Sequence, residues 1–188
     1  MDTRSKLLAS ARDQIQRKGY NGFSYADLAD EVGIRKASIH HHFSTKADLG
    51  REVAIQYRQD FMAALRSIES GKSNSFKKLE AYIQLFRHTL EKDHKVCLCI
   101  MLAAEHEALS DKIKNEVKAF FKENEVWLAQ LFFEGQSEGE FTLMSTPAET
   151  AKLVLSALEG AMLIAESMDD LTRLESISQW ILSSVKKT

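Results

Sequence analysis

A chain of 188 residues that is 44% hydrophobic can bury a core without disulfide or metal staples. Its longest apolar runs are too short to span a bilayer, which excludes a membrane protein of the helical kind. The formal charge is −2 but unevenly spread. Eight Lys/Arg face six Asp/Glu in residues 1–50, and seventeen face twenty-one thereafter, a weakly basic head on an acidic body. Cys97 and Cys99 are the only cysteines and lie too close in sequence to bridge each other. No intrachain disulfide framework is therefore expected, which fits a reducing compartment. The N-terminal segment is charged throughout and lacks the apolar run of a signal peptide, so a cytoplasmic location is expected.

One proline, eight glycines and abundant helix formers predict an all-α fold, and the pattern resolves into nine helices. The first runs from Asp2 to Lys18, with Leu7, Leu8, Ala11 and Ile15 at helical spacing and Gly19 as its stop. The second spans Tyr25 to Glu31 behind a capping box of Ser24 and Asp27. The third covers Lys36 to His42. The fourth starts after Thr45, boxed by Asp48, and continues to Glu69. The fifth is Ser75 to Lys92, with Leu79, Tyr82, Ile83 and Phe86 inward. The sixth is Val96 to His106, and the seventh runs from Asp111 to Gln136. The eighth has the clearest start, with Thr146 as cap, Pro147 at the first position and Glu149 at the third, and ends near Met168. The ninth is Asp170 to Lys186.

The informative stretch is Gly19 to Leu49. A short helix carrying Leu28, Ala29 and Val32 buries one face. Gly33 supplies the left-handed backbone of a tight turn, and Ile34 plugs the core beneath it. A second short helix turns Arg35, Lys36, Ser38, His41 and His42 outward and Ala37, Ile39 and Phe43 inward. Two short helices joined by a glycine turn make a helix-turn-helix, whose second helix enters the major groove of DNA. Any helical hairpin shares this spacing. Three consecutive histidines could also suggest a metal site. Adjacent residues on a helix point about 100° apart, however, so the three cannot all ligate one ion, and no metal is expected.

The stretch resembles the DNA-binding domain of the TetR/AcrR repressors. Asp27-Leu28-Ala29, Gly33-Ile34, Ser38-Ile39, His42-Phe43, Lys46 and Leu49 match the family's run. It departs at Ala37, His40, Thr45 and Ala47, where the family carries Gly, Tyr, Ser and Glu. The resemblance implies phosphate contacts from Ser24 and Tyr25 at the start of the second helix and from Lys46 at the start of the fourth. His40 takes the place of a tyrosine that stacks on the DNA backbone, with a shorter reach. Arg35, Lys36, Ser38 and His41 are the expected base contacts. The resemblance further implies two domains. A three-helix DNA-binding domain occupies 1–47, and a helical ligand-binding and dimerisation domain occupies 48–188.

The eighth helix is apolar on more than one face, so it must be buried twice. Together with the ninth it predicts a homodimer interface through Leu155, Leu158, Met162, Leu174, Ile177 and Ile181. By resemblance, a pocket for a small-molecule inducer lies among helices five to eight, lined by Phe86, Cys97, Met101, Phe120 and Trp127. An ordinary packed core fits those aromatics equally well. Cys97 admits two readings, a small buried hydrophobe or a thiolate activated at a helix start beside His94 and Lys95. The Leu98-Cys99-x-Met101 run also resembles the family branch that controls electrophile-detoxifying reductases.

No G-x-S-x-G, phosphate-binding glycine loop or H-E-x-x-H is present, so neither an enzyme nor a cofactor is expected. Glu105-His106-Glu107 reads as a helix end turning to solvent. A constitutive DNA-binding protein without a ligand is the remaining alternative, and the length of the body argues against it. The expectation is a repressor held on a pseudo-palindromic operator and released by a small molecule.

Overall fold

Local chemistry at the helix starts fixes the frame. In the computed structural model, which describes residues 2–72, 74–93 and 95–186, Asp2 caps α1 (Thr3–Lys18) by accepting from the Ser5 amide at 2.7 Å. Ser24 caps α2 (Tyr25–Val32) and Asp27 returns the bond to the Ser24 amide at 2.6 Å. Then follow α3 (Lys36–His42), α4 (Lys46–Gly71), α5 (Ser75–Asp93) and α6 (Leu98–Ala104). A 3₁₀ turn (His106–Ala108) leads into α7 (Asp111–Ser137). The last two helices are α8 (Pro147–Ser167) and α9 (Thr172–Val185). The fold is all-α. Its one β feature among the described residues is an isolated bridge between Phe141 and Lys186.

The boxes at Ser24–Asp27 and Thr146–Glu149 form in full, and Thr45 and Asp48 pair through the threonine hydroxyl. Thr45 Oγ1 donates to Asp48 at 2.8 Å and accepts from its amide, and Thr146 and Glu149 exchange the same pair of bonds ahead of Pro147. Three helices differ from the expected bounds by two residues, the fourth by running on to Gly71. The sixth helix is shorter than the apolar run Val96 to His106, because Cys97 offers no side-chain cap and the chain turns out at Glu105. The ninth starts two residues late, because Asp170 accepts from the Thr172 amide and hydroxyl and so stands outside the helix.

The chain divides into two compact units, Met1–Asp60 with Cys97–Phe120, and Phe61–Val96 with Phe121–Thr188. In the first, α1 packs on both α2 and α6. Leu7, Ala11, Ile15, Leu28, Ile39 and Leu98 are wholly buried there. Tyr57 and Phe120 rings lie 5.6 Å apart, and the Arg12 guanidinium sits over Tyr57 while pairing with Asp60 at 2.8 Å. In the second, α5, α8 and α9 pack on one another around Leu79, Tyr82, Phe132, Leu158, Met162 and Ile181. Two of the three unit boundaries fall inside α4 and α7, and the third lies between α5 and α6.

Five capping carboxylates are held below the ordinary carboxylate range, Asp2 by the Ser5 amide among them. Asp27 is held by Ser24, Asp48 by Thr45 and then Lys112, Glu149 by Thr146, and Asp170 by Thr172. A carboxyl whose pKa is lowered on folding adds stability above its unfolded pKa and loses it as pH falls through the folded value. Urea midpoints should therefore drop steadily below about pH 4. Thr146→Ala should cost about 1 kcal/mol at neutral pH and make that acid loss shallower, since Glu149 then has less to lose. Urea titrations of both proteins at pH 7 and pH 3 check it.

Candidate DNA-binding surface

Gly33 closes α2 with φ +74° and ψ +38°, the left-handed turn expected of it, and both its amide and that of Ile34 reach back to the Ala29 carbonyl. A side chain there would meet no neighbour, so glycine answers a backbone need and not a steric one. Leu28, Ala29, Ile39 and Phe43 are buried, and Val32 and Ile34 half-buried. Ala37 is a correction: it was expected inward and is exposed, as a methyl group one position off the Ile39–Phe43 row.

Arg35 stands at the cap position of α3 and Lys36 at its first residue, both exposed, followed by half-buried Ser38 and exposed His41. They share a helix whose opposite side is Ile39 and Phe43, so the polar side chains face outward by default. His40 is exposed; its ring meets Tyr25 edge-on at 5.1 Å, with Nδ1 3.3 Å from the Ser44 carbonyl. Ser24 is exposed, with its hydroxyl engaged by the Ala26 and Asp27 amides. Tyr25 is buried, and its hydroxyl donates to the Phe43 carbonyl at 3.1 Å. Burial, then the charge of Asp48, pushes its pKa up to about 12, so it stays a neutral donor.

Lys46 is half-buried. Its ammonium donates to the Phe23 carbonyl and lies 4.2 Å from the Phe23 ring centroid and 4.8 Å from that of Tyr20. Burial lowers its pKa, while Glu105 and Asp27 oppose the shift. Beside α3 an open groove of about 560 Å³ is lined by Arg4, His42, Ser44, Asp48, Arg51 and Lys112 among others. Arg4 lies over the Phe43 ring and pairs with Glu52 at 2.8 Å.

The five residues expected to line a ligand pocket divide between the units. Phe86 and Trp127 flank Tyr82, at 5.3 Å and, stacked, at 5.4 Å. Phe61 completes the cluster, and the Tyr82 hydroxyl donates to buried Asn124 at 3.0 Å. Phe61 and Asn124 went unread in the sequence; helical spacing to Trp127 was the one signal for Asn124, and none marked Phe61. Cys97, Met101 and Phe120 belong to the other unit. Cys97 does stand at the start of α6, but it is 2% exposed and Cys99 is 0% exposed; neither is in a disulfide. His94 lies outside the described residues. Leu155, Leu158, Met162, Leu174 and Ile181 are buried within their own chain, and Ile177 is half-buried. The exposed apolar side chains of α8, α9 and the turn between them are Leu153, Ile164, Met168, Leu171 and Trp180. Glu105, read as a helix end facing solvent, instead accepts from Asn21 of the α1–α2 connection; His106 and Glu107 are exposed.

An all-helical chain with this turn and this outward basic face is a helix-turn-helix DNA-binding protein. Residues 7–53 match the family model of bacterial regulatory proteins of the tetR family. Residues 75–180 match the C-terminal domain of LmrA/YxaF-like transcriptional regulators. A TetR-family regulator from Agrobacterium tumefaciens is 34% identical and superposes with a TM-score of 0.95, over 98% of this chain and 97% of that one. A TetR regulator from Legionella pneumophila is 31% identical with a TM-score of 0.90, over 99% and 98%. The regulator CymR of Pseudomonas putida is 27% identical over 74% of this chain and 70% of its own. The chain belongs to the TetR family of transcriptional regulators, which are DNA-binding proteins and not enzymes. Among the described residues no helix is long and apolar enough to cross a membrane.

Burial sets the expected chemistry of the thiols. Both should alkylate more slowly than a free thiol in the native protein and at the free-thiol rate in urea, because attack on either requires the unit to open. Intact mass over a time course with iodoacetamide measures this.

Proposed function

We propose that the protein is a cytoplasmic, ligand-responsive repressor that binds a pseudo-palindromic DNA operator as a homodimer and is released by a small molecule. Residues 1–47 serve as the DNA-binding domain and 48–188 as the ligand-binding and dimerisation domain. One observation carries this reading: α3 exposes Arg35, Lys36 and His41, with Ser38 half-buried, over an inner face anchored by Ile39 and Phe43. Arg35, Lys36, Ser38 and His41 read base edges in the major groove. Ser24, Tyr25, His40 and Lys46 hold phosphates. With its hydroxyl engaged by Phe43, Tyr25 acts through its main-chain amide at the α2 N-terminus, where unsatisfied N–H groups favour anions.

The two-sided apolar character of α8 supports the dimer. Leu155, Leu158 and Met162 bury one side in the chain's own core, leaving Leu153 and Ile164 for a partner, with Trp180 from α9. Leu174, Ile177 and Ile181 back that face from beneath. Phe86 and Trp127, around Tyr82, support a ligand site in the second unit. Ligand acts by binding better to a dimer whose α3 helices no longer match successive grooves. A coupling of about 1–3 kcal/mol would change operator affinity about 5- to 150-fold.

Light scattering should give a dimer at micromolar concentration. Leu153→Glu with Trp180→Glu should give a helical monomer, and a parent protein that is already monomeric refutes the interface. On DNA, Lys46→Ala should weaken binding to every duplex alike and flatten the salt dependence by about one unit. Lys36→Ala should also relax preference at one base pair, at a cost of about 1–3 kcal/mol. Anisotropy titrations against a randomised duplex pool and its selected winners separate the two, and parent-like binding by both variants would mean a different surface meets DNA.

A further inference from the structure

Glu105 closes α6 and lies 84 residues from the loop it holds. Its Oε2 accepts from the Asn21 amide at 3.0 Å and from Asn21 Nδ2 at 2.5 Å. Its other oxygen lies where a Cβ on Gly19 would stand, so the carboxylate is seated directly against the α1–α2 connection. Gly19 has φ +80°, a backbone that L side chains rarely adopt, and its amide finishes α1 on the Ile15 carbonyl. The connection therefore has the one residue type that allows both the turn and the carboxylate's approach.

What this connection carries is the seat of Lys46. Tyr20 and Phe23 flank Asn21, are both buried, and meet edge to face at 6.4 Å. The Lys46 ammonium lies over both rings and donates to the Phe23 carbonyl. An ammonium has three donors. With one fixed on Phe23 and the stem confined by two rings, the remaining two point in a restricted range of directions. The Glu105 charge also acts on this group, opposing the fall in the Lys46 pKa and adding to the rise of Tyr20, where burial is the main cause.

We propose that Glu105 is a positioning residue for DNA binding: its carboxylate fastens the Gly19–Phe23 connection and so fixes the seat from which Lys46 meets phosphate. Neither Glu105 nor Asn21 needs to touch DNA. The inference rests on the reading of Lys46 as a phosphate contact, and it places one determinant of DNA affinity on α6, outside the helix-turn-helix. Its sign opposes simple electrostatics. Removing an acid near a polyanion should tighten binding through lost repulsion; removing a positioning carboxylate should weaken it.

The test uses the full chain and a short fluorescent duplex of arbitrary sequence, titrated at several salt concentrations, because phosphate contacts act on any sequence. Glu105→Ala should bind about fivefold more weakly and lose about one unit of salt slope, matching Lys46→Ala. The double variant should lose no more than either single one, since both remove the same contact. Glu105→Gln, which keeps an acceptor for the Asn21 amide, should recover most of the loss. Asn21→Ala, which keeps the main-chain bond, should lose less than Glu105→Ala in the same direction; it serves if Glu105→Ala fails to fold, as judged by its helical signal. Binding by Glu105→Ala as tight as the parent or tighter, with an unchanged slope, overturns the inference while a weakened Lys46→Ala leaves the phosphate reading standing. Losses that multiply in the double variant overturn it too. Lys46→Ala with parent slope removes the phosphate contact and the inference together.

Discussion

Seven residues make too few intrahelical hydrogen bonds to hold a helix together in water, where isolated helices shorter than about 12–15 residues are marginal. The helix α3 has that length, lacks a side-chain cap, and carries a run of three histidines. Its existence depends on the burial of Ile39 and Phe43 against the layer that α1 and α2 provide, with the Tyr25 hydroxyl fastening the Phe43 carbonyl at its end. Burying two such side chains is worth about 1.5–3 kcal/mol each. That anchoring decides everything presented on the opposite side. Arg35, Lys36 and His41 face solvent because Ile39 and Phe43 cannot, so the surface proposed to read DNA is a consequence of core packing.

The same economy governs charge. Several basic side chains of the first unit are committed: Arg4 to Glu52, Arg12 to Asp60, Arg17 to Asp13, Arg58 to Glu116 and Lys112 to Asp48. Exposed pairs of this kind add little stability. Their effect here is to cancel field where they lie, while Arg35 and Lys36 stand exposed at the start of α3. A chain with net charge −2 can therefore still present a local cationic face to a polyanion.

Features written within four residues of sequence were legible. The Ser24–Asp27 and Thr146–Glu149 boxes and the Thr45–Asp48 hydroxyl pairing form because a short oxygen-bearing side chain and a carboxyl three positions on can satisfy each other without help from the rest of the chain. The left-handed Gly33 is local in the same sense. Ala37 was misplaced because a methyl group is too small to report which side of a short helix it occupies. Contacts across the chain left no mark. Nothing in Glu105-His106-Glu107 says that only the first finds Asn21, and nothing in the order of helices says that Cys97–Phe120 packs with the first sixty residues. An apolar row such as Leu155-Leu158-Met162 tells that a face is covered, but its own chain and a second copy cover it equally well. Exposure, as at Leu153 and Trp180, separates a covered face from an open one, and exposure is a property of the folded chain.

The packing of α1 against α6 bears on how such a protein can be recombined. The first sixty residues look like a cassette to be cut and joined to another sensor body. Cut there, α1 would keep Leu7, Ala11 and Ile15 but lose Leu98, Cys99 and Leu102, and the Gly19–Asn21 connection would lose its carboxylate. A graft confined to that stretch carries the reading surface while leaving part of its foundation behind. The heritable module is discontinuous, the first sixty residues together with Cys97–Phe120, so exchange by a single crossover breaks it. Change in what the body senses would then accumulate more readily by substitution within Phe61–Val96 and Phe121–Thr188 than by wholesale exchange.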